Sequence, residues 1–586
     1  MKIQFCGATT GVTGSCHLVT SENHKVLLDC GQYQGGKAQE EMNYEEFPFD
    51  PKEIECMLLS HAHIDHCGRI PLLVKRGFTG KIYCTDATAD LLDIMLKDSA
   101  HIHEQEAEWK NKKNARAGRP IVEPLYTQKD SEEALKLVVP VMYNQYMEIN
   151  EEMSCVFNDA GHILGSGEIE LWVTENEGGK ENVSKIVFSG DLGVMERPIL
   201  RDPTIIKSAD YVIMETTYGN RLHPENIMDV NNLIDIICET AARGGNTVIP
   251  SFAVGRTQEM IFELNKIYDS KDDPRKAKLE NVKVYIDSPM ASSATEVFKK
   301  NAQVFDDVTK DYIDRGDNPL EFENLKFTQS TEESQWLNFD KEPKVIISAS
   351  GMCEAGRIRH HLKHNLWDAR NSVIFVGYQA EGTLGRRLIE GAEEITLFGE
   401  KIQVNAKIHN LEGFSGHADM NGLLTWLKGF QKKPKQIFLV HGEPDVKLEF
   451  AETVKQQIGY EPIAVNANAE FELVSDGEVK TKEEVIASEI DENAINEARA
   501  KLEKTKRRIE DSMYSVGSTI DRNTDLEKLA EIGKIILELD KASINLEAIL
   551  SETGADSSIN LSEEQVQELK QAREEDKKRR DAEKHK

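Results

Sequence analysis

The stretch Ser60-His61-Ala62-His63-Ile64-Asp65-His66 constrains this chain more than any other, because it sets three imidazoles and a carboxylate within six consecutive residues. Neutral imidazole and carboxylate are good ligands for Zn²⁺, and few other roles need four such groups this close. The apolar run Glu55-Cys56-Met57-Leu58-Leu59 before it reads as a buried strand. After it, Cys67-Gly68-Arg69-Ile70-Pro71 reads as a turn and a helix start. The cluster is therefore expected on a loop at a strand end, where a rigid scaffold aims several ligands at one point. The bland alternative is a solvated loop that happens to be rich in histidine.

Four further polar residues sit in the same kind of context. They are Asp29 in Leu28-Asp29-Cys30-Gly31, His162 in Gly161-His162-Ile163, Asp191 in Gly190-Asp191-Leu192, and His441 in Val440-His441-Gly442. Each neighbours an apolar run and has glycine nearby, which lets a backbone turn sharply or approach a ligand. Any one of them alone is an ordinary hydrogen-bonded residue; together with the dense cluster they argue against the bland alternative. A catalytic Zn²⁺ takes about three protein ligands and keeps one position open. His61, His63 and His162 can hold one ion, Asp65, His66 and His441 a second, and Asp191 can bridge both. Two ions roughly 3.5–4 Å apart suit hydrolysis of a phosphodiester.

At 586 residues the chain is too long for one ordinary domain, and two or three are expected. No run approaches the roughly 20 apolar residues of a membrane span. The start, Met1-Lys2-Ile3-Gln4-Phe5, lacks the basic and apolar regions of a signal peptide. Nine scattered cysteines with no C-x-x-C pattern favour reduced thiols and a cytoplasmic protein. The net charge of −31 argues against loose attraction to a polyanion. A substrate with phosphates then needs local positive charge, which bound metal ions supply.

Residues 1–215 alternate short β-like runs with glycine-rich turns, and residues 86–117 read as a helix with a basic end. From 216 to 412 strands alternate with helices, which implies a largely parallel sheet covered by helices, a second α/β domain. Residues 413–475 contain one more strand, Gln436–Val440, which ends at His441. Beyond 476 the chain becomes highly charged, with one amphipathic helix expected around Leu526, Leu529, Ile532, Ile536 and Leu539. This extension either packs on the core or serves oligomerisation, for example as a homodimer.

His61-Ala62-His63-Ile64-Asp65-His66, with Asp29, His162 and Asp191, resembles the metallo-β-lactamase superfamily, which spans lactamases, thiol-ester hydrolases, phosphodiesterases and nucleases. Three later motifs narrow the likeness. Met214-Glu215-Thr216-Thr217-Tyr218-Gly219, Gly413-Phe414-Ser415-Gly416-His417-Ala418-Asp419 and Leu439-Val440-His441-Gly442-Glu443 resemble motifs of the β-CASP nucleases, close to bacterial RNA-processing members. The resemblance implies a four-layer αββα sandwich from residues 1–215 and 413–475, a β-CASP domain inserted over 216–412, and a charged helical extension over 476–586. It implies two Zn²⁺ ions and hydrolysis of single-stranded RNA, internally or from the 5′ end, leaving a 3′ hydroxyl and a 5′ phosphate. His417 would be the general acid, Glu215 would orient it, and Asp29 would support the metal site from beneath. Asp65 would join the catalytic set as a ligand. His441 favours RNA, because the DNA-repair branch of the family usually carries an aliphatic residue there. The alternatives are a DNA nuclease, a silent RNA-binding scaffold, and a small-molecule hydrolase of the same fold. Filled ligand positions argue against the scaffold, and the Glu215, His417 and His441 set argues against the small-molecule enzyme.

RNA phosphate contacts are expected from the inserted domain. Candidates are Ser348 and Ser350 in a strand-to-helix turn, where backbone N–H groups can cradle an anion, with Arg256 and Arg386 as donors to phosphate. His101 and His103 read as structural, since positions two apart on a helix point to different faces. His360 and His364 share a helix face without a carboxylate neighbour, and contact with RNA phosphate suits them better than a metal.

Overall fold

The computed structural model describes residues 1–473 apart from 178–179, 224–229, 271, 378, 380–381 and 412–414. These residues lie within one compact unit, Met1–Glu489. The expected amphipathic helix around Leu526–Leu539 and the charged end of the chain lie outside the described residues.

Two seven-stranded sheets form the centre. The first runs, edge to edge, through Glu470–Glu472, Lys2–Phe5, His17–Thr20, Lys25–Leu28, Cys56–Leu58, Lys81–Thr85 and Val138–Val141. The second runs through Ile463–Ala464, Gln436–Leu439, Tyr211–Met214, Lys180–Phe188, Gly167–Glu177, Met153–Asp159 and Met147–Glu148. Side chains alternate between faces along a strand, and here both faces are buried. In Lys25–Leu28, Val26 and Leu28 point into the space between the sheets, with Phe5, Phe157, Phe188, Ile213 and Phe438. Leu27 points the other way, among Met57, Leu73, Leu92 and Leu96, beneath helices Ile70–Lys75 and Asp86–Ala117. On the far side, Val212, Met214 and Leu439 lie under Leu423, Trp426, Leu427, Phe450 and Val454 of helices Met420–Lys428 and Pro444–Ile458. Three apolar layers between four layers of structure make the αββα sandwich. Strands buried on both faces read as continuous apolar runs.

The inserted segment builds a six-stranded sheet in the order Leu325–Phe327, Lys283–Ile286, Lys344–Ser348, Thr247–Pro250, Ser372–Phe375 and Lys407–Asn410. Every pairing in it is parallel, so each strand needs a crossover to reach the next; helices such as Arg256–Asp269, Pro289–Lys300 and Ile358–Asn365 provide these. One apolar cluster joins this domain to the sandwich: Ala62, Leu91, Ile163, Leu164, Ile199 and Leu200 pack with Ile249, Met260, Ile261 and Phe298. At its rim Asp90 receives Lys300 at 2.7 Å and Asn301 at 2.8 Å.

The cluster segment differs from the expected loop in one respect. Ile64–Cys67 is a helical turn, starting after His63 in extended conformation. The turn swings His66 back under the strand ends, while His63 stays on the other side. Gly31 is needed beneath it, since a Cβ there would fall 1.6 Å from the Asp65 carbonyl oxygen. Among the described residues, no helix is long and apolar enough to cross a membrane.

Phe438 is 1% exposed between the sheets and touches the Phe5 and Phe471 rings. Phe438→Ala is expected to cost about 3–5 kcal/mol, the usual range for a buried Phe. Urea denaturation followed by tryptophan fluorescence checks this, and a midpoint equal to wild type would contradict the placement.

Candidate metal centre and active site

The strand ends of both sheets deliver the polar residues. Lys25–Leu28 and Cys56–Leu58 run parallel and end at Asp29 and at the histidine cluster. Lys180–Phe188, Tyr211–Met214 and Gln436–Leu439 also run parallel and end near Asp191, Glu215 and His441. Met153–Asp159 leads to His162. Parallel neighbours end at the same edge, so residues far apart in sequence meet there.

They meet as two groups. In the first, His61 Nε2 and His162 Nε2 lie 3.2 and 3.1 Å from His63 Nδ1. Asp191 Oδ2 is 3.5 Å from His61 Nε2 and 3.6 Å from His162 Nε2. In the second, His66 Nε2 lies 3.2 Å from His441 Nε2, which is 3.6 Å from Asp65 Oδ2. Asp191 Oδ1 is 3.2 Å from His66 Nε2 and 3.4 Å from His441 Nδ1. Asp191 thus turns one oxygen to each group. Within each group the ligand atoms lie within 4.8 Å of one another.

This donor set fits metal ions. Burial pushes His61 and His162 well below the ordinary imidazole range and His63 down to about 4, so these rings are neutral and keep a lone pair. Three neutral ring nitrogens crowded around one point cannot all be satisfied by shared protons, whereas one cation satisfies all of them. Both Asp191 oxygens are buried and accept no hydrogen bond. Unpaired buried carboxylate oxygens are costly, and a cation held beside them would remove that cost.

His66 is held differently. Burial opposes its charge, but Asp191 and Asp29 outweigh burial and push its pKa well up. Its Nδ1 lies 2.7 Å from Asp29 Oδ2, which fixes Nδ1–H as the donor and turns Nε2 toward Asp191. Asp29 is fully buried and also accepts from Ser60 N at 2.8 Å, Ser60 Oγ at 2.9 Å and Ser15 Oγ at 3.0 Å.

Beside His162, with ring centroids 4.5 Å apart, His417 places Nδ1 3.2 Å from both Glu215 oxygens. Glu215 Oε1 also accepts from Leu192 N at 2.6 Å, which ties it to the Asp191 segment. Burial opposes the charged imidazolium of His417, but Glu215 and Asp191 outweigh it and push the pKa up to about 9. The His417 backbone bridges to Gly193, Ala418 N donates to Leu192 O at 2.7 Å, and His162 Nδ1 lies 3.2 Å from Gly416 O. One residue here had no signal in the sequence. His223 Nε2–H donates to the His417 carbonyl at 2.8 Å, and its backbone N–H donates to Asp419 Oδ2 at 3.0 Å. A lone histidine in a polar loop carries no pattern that would mark it.

Of the expected phosphate contacts, Ser348 and Arg256 turn inward, while Ser350 and Arg386 stay partly exposed. Ser348 is buried and donates to the Asp287 carbonyl at 2.8 Å, so its hydroxyl faces inward. Arg256 is buried and turned to Glu259. Arg386 pairs with Glu390 at 2.6 Å, one helical turn along its own helix. Ser350 Oγ accepts from Ala355 N at 3.4 Å within its turn. His101 and His103 stay away from the centre, bonded to Gln105 and Gln32. His360 stacks on Phe398, with ring centroids 4.3 Å apart, and His364 lies beside Phe339. Their neighbour His361 is instead fully buried, 2.5 Å from Asp287 Oδ2.

The sandwich, the insertion and the converging ligands define a metal-dependent hydrolase with a metallo-β-lactamase core and a β-CASP domain. Three family descriptions match in chain order: the metallo-beta-lactamase superfamily over residues 9–142, the Beta-Casp domain over 257–388, and the Zn-dependent metallo-hydrolase RNA specificity domain over 401–465. The chain belongs to the β-CASP nucleases of the metallo-β-lactamase superfamily. It is 37% identical over 445 residues to Ribonuclease TTHA0252 of Thermus thermophilus, a match covering 76% of this chain and 94% of that protein. It is 34% identical over 456 residues to the RNase J-like protein of Methanocaldococcus jannaschii, covering 77% of this chain and 95% of that one. Transcription termination factor FttA of the same archaeon is 31% identical over 466 residues, covering 78% of this chain and 69% of that protein.

Asp29→Ala removes the acceptor that fixes His66. Loss of such a partner typically weakens metal affinity about 10–100-fold. Competition against a chromophoric chelator is expected to show that loss, and unchanged affinity would mean that Asp29 does not orient a ligand.

Proposed function

We propose that this protein is a two-zinc ribonuclease that hydrolyses phosphodiester bonds of single-stranded RNA, leaving a 3′ hydroxyl and a 5′ phosphate. The observation that carries this reading is the Glu215–His417 pair beside Asp191 and His162. RNA is favoured over DNA by His441, by the match to an RNA specificity domain and by the ribonuclease among the relatives. Nine buried, unpaired thiols suit a reducing compartment, the cytoplasm.

His61, His63, His162 and Asp191 would hold one ion; Asp65, His66, His441 and Asp191 would hold the other. Bound there, two zinc ions lower the pKa of a water and neutralise charge on the phosphoryl oxygens. Asp29 keeps the His66 proton on Nδ1. Glu215 binds His417 Nδ1 and leaves Nε2 as the atom that carries a proton to the leaving 3′ oxygen. Exposure agrees with the division of labour: the His417 side chain is 21% exposed, whereas that of Glu215 is fully buried. An RNA alkoxide is a poor leaving group, and a positioned acid contributes about 10²–10⁴-fold.

His417→Ala is expected to lose cleavage by that factor while zinc content stays at the wild-type level. Zinc loss in the variant, measured by atomic absorption, would make His417 a ligand and end the general-acid role. Glu215 helps raise the His417 pKa, and the acid acts only while protonated, so activity falls as pH rises through that pKa. In Glu215→Gln the alkaline limb of the kcat profile is expected to move to lower pH; an unmoved limb contradicts the pairing. Matched RNA and DNA oligonucleotides, 5′-labelled or internally labelled and assayed with and without chelator, test the substrate. Cleavage of DNA at an equal rate, or cleavage indifferent to chelator, would overturn the reading.

A further inference from the structure

A buried charged residue joins the inserted domain to the turn that carries His417. Arg197 lies in the segment that follows Asp191, with its side chain 1% exposed. Its Nη2 donates to Glu259 Oε2 at 2.9 Å. Glu259 stands in the first turn of helix Arg256–Asp269, in the inserted domain, and also accepts from Arg256. The remaining nitrogens of Arg197, Nε and Nη1, are buried and donate no hydrogen bond. Nη1 faces Gly416 across the space a side chain would take: a Cβ on that glycine would lie 3.7 Å from Arg197 Nη1 and 3.2 Å from His162 Cε1. His162 and Arg197 therefore stand together on the face of Gly416 where a side chain would project. Its carbonyl is already fixed by His162 Nδ1 at 3.2 Å. The next residue is His417.

A buried guanidinium with unpaired N–H groups is an expensive way to fill space, and an apolar side chain of similar volume would cost less. The charge makes sense if position matters: the rigid planar fork lets one end be fixed by Glu259 while the other stands against the turn.

We propose that Arg197 is a positioning residue for the general acid. The Glu259–Arg197 ion pair carries the placement of the inserted domain to Gly416, and so sets where His417 stands relative to Glu215 and the scissile bond. The proposal rests on the general-acid reading of His417. A misplacement of about 1 Å in a catalytic group can cost about 10²-fold, so a side chain that touches no substrate can still govern kcat.

Two substrates separate this role from simple structural support. RNA needs a proton on its leaving oxygen. Bis(p-nitrophenyl) phosphate releases an anion stable at neutral pH and does not. Arg197→Met and Glu259→Ala are each expected to lower kcat on RNA by about 10–100-fold, with KM and bound zinc unchanged and a much smaller loss on the aryl diester. The double variant is expected to be no worse than the weaker single one, since both act through one link. If Arg197→Met does not fold, Arg197→Lys keeps the charge without the fork and is expected to show the same imbalance at smaller size. The reference is His417→Ala, whose loss must also be larger on RNA than on the aryl diester. If the reference behaves so but the Arg197 variants lose both activities equally, or lose zinc, the positioning role is overturned alone. If the reference itself shows no imbalance, the general-acid reading falls and this proposal with it.

Discussion

Everything in this structure serves one unfavourable arrangement, the crowding of buried imidazole lone pairs around the Asp191 carboxylate. His61 and His162 present their Nε2 atoms to His63 Nδ1 at 3.2 and 3.1 Å, beside the buried Asp191 carboxylate. A loop could not hold such a set, because its groups would swing apart into water. Two sheets packed face to face can hold it: parallel strand ends fix the starting points, and the apolar layers on both faces of each sheet keep those strands from shifting. The packing of the sandwich thus fixes the donor set in place before any cation binds.

The packing of the inserted domain reaches the site itself. Its largest apolar cluster includes Ala62, Ile163 and Leu164, immediate neighbours of His61, His63 and His162. The same residues that position ligands therefore belong to the core of the second domain. Burial there couples the two units far more tightly than the rim contacts of Asp90 with Lys300 and Asn301, which are partly exposed and worth little. A displacement of the inserted domain would be felt at the ligand histidines and, through Arg197, at the turn before His417.

Much of this was legible in the sequence, and the reason is physical. Strands such as Lys25–Leu28 and Tyr211–Met214 are buried on both faces, so they appear as unbroken apolar runs, and the polar residue that follows each run marks the strand end. The ligand cluster was legible because density of chemistry needs no tertiary information. The helical turn Ile64–Cys67 was not, because four residues carry too little pattern to distinguish a turn from a loop. The inward turn of Ser348 and Arg256 was not legible for a different reason. Whether Ser348 or Arg256 faces out or in is decided by a partner far away in sequence or hidden in the core, Asp287 in one case and the Glu259–Arg197 pair in the other. His223 was silent for the same reason, since only the fold brings it to the His417 carbonyl.

The site also shows how one chemical device gives two functions. Asp29 and Glu215 each hold the Nδ1 of an imidazole, at 2.7 Å for His66 and 3.2 Å for His417. Both arrangements leave Nε2 as the working atom, and both carboxylates push their histidine's pKa up against the effect of burial. What differs is where Nε2 points. That of His66 faces Asp191 Oδ1 inside the protein, where the side chain is 1% exposed. The His417 side chain stays 21% exposed at the open side of the same carboxylate, where a substrate can reach it. Orientation and exposure, rather than residue type, would therefore separate a ligand from a proton donor under the proposed function. A sequence can name both histidines, but only the fold assigns them different work.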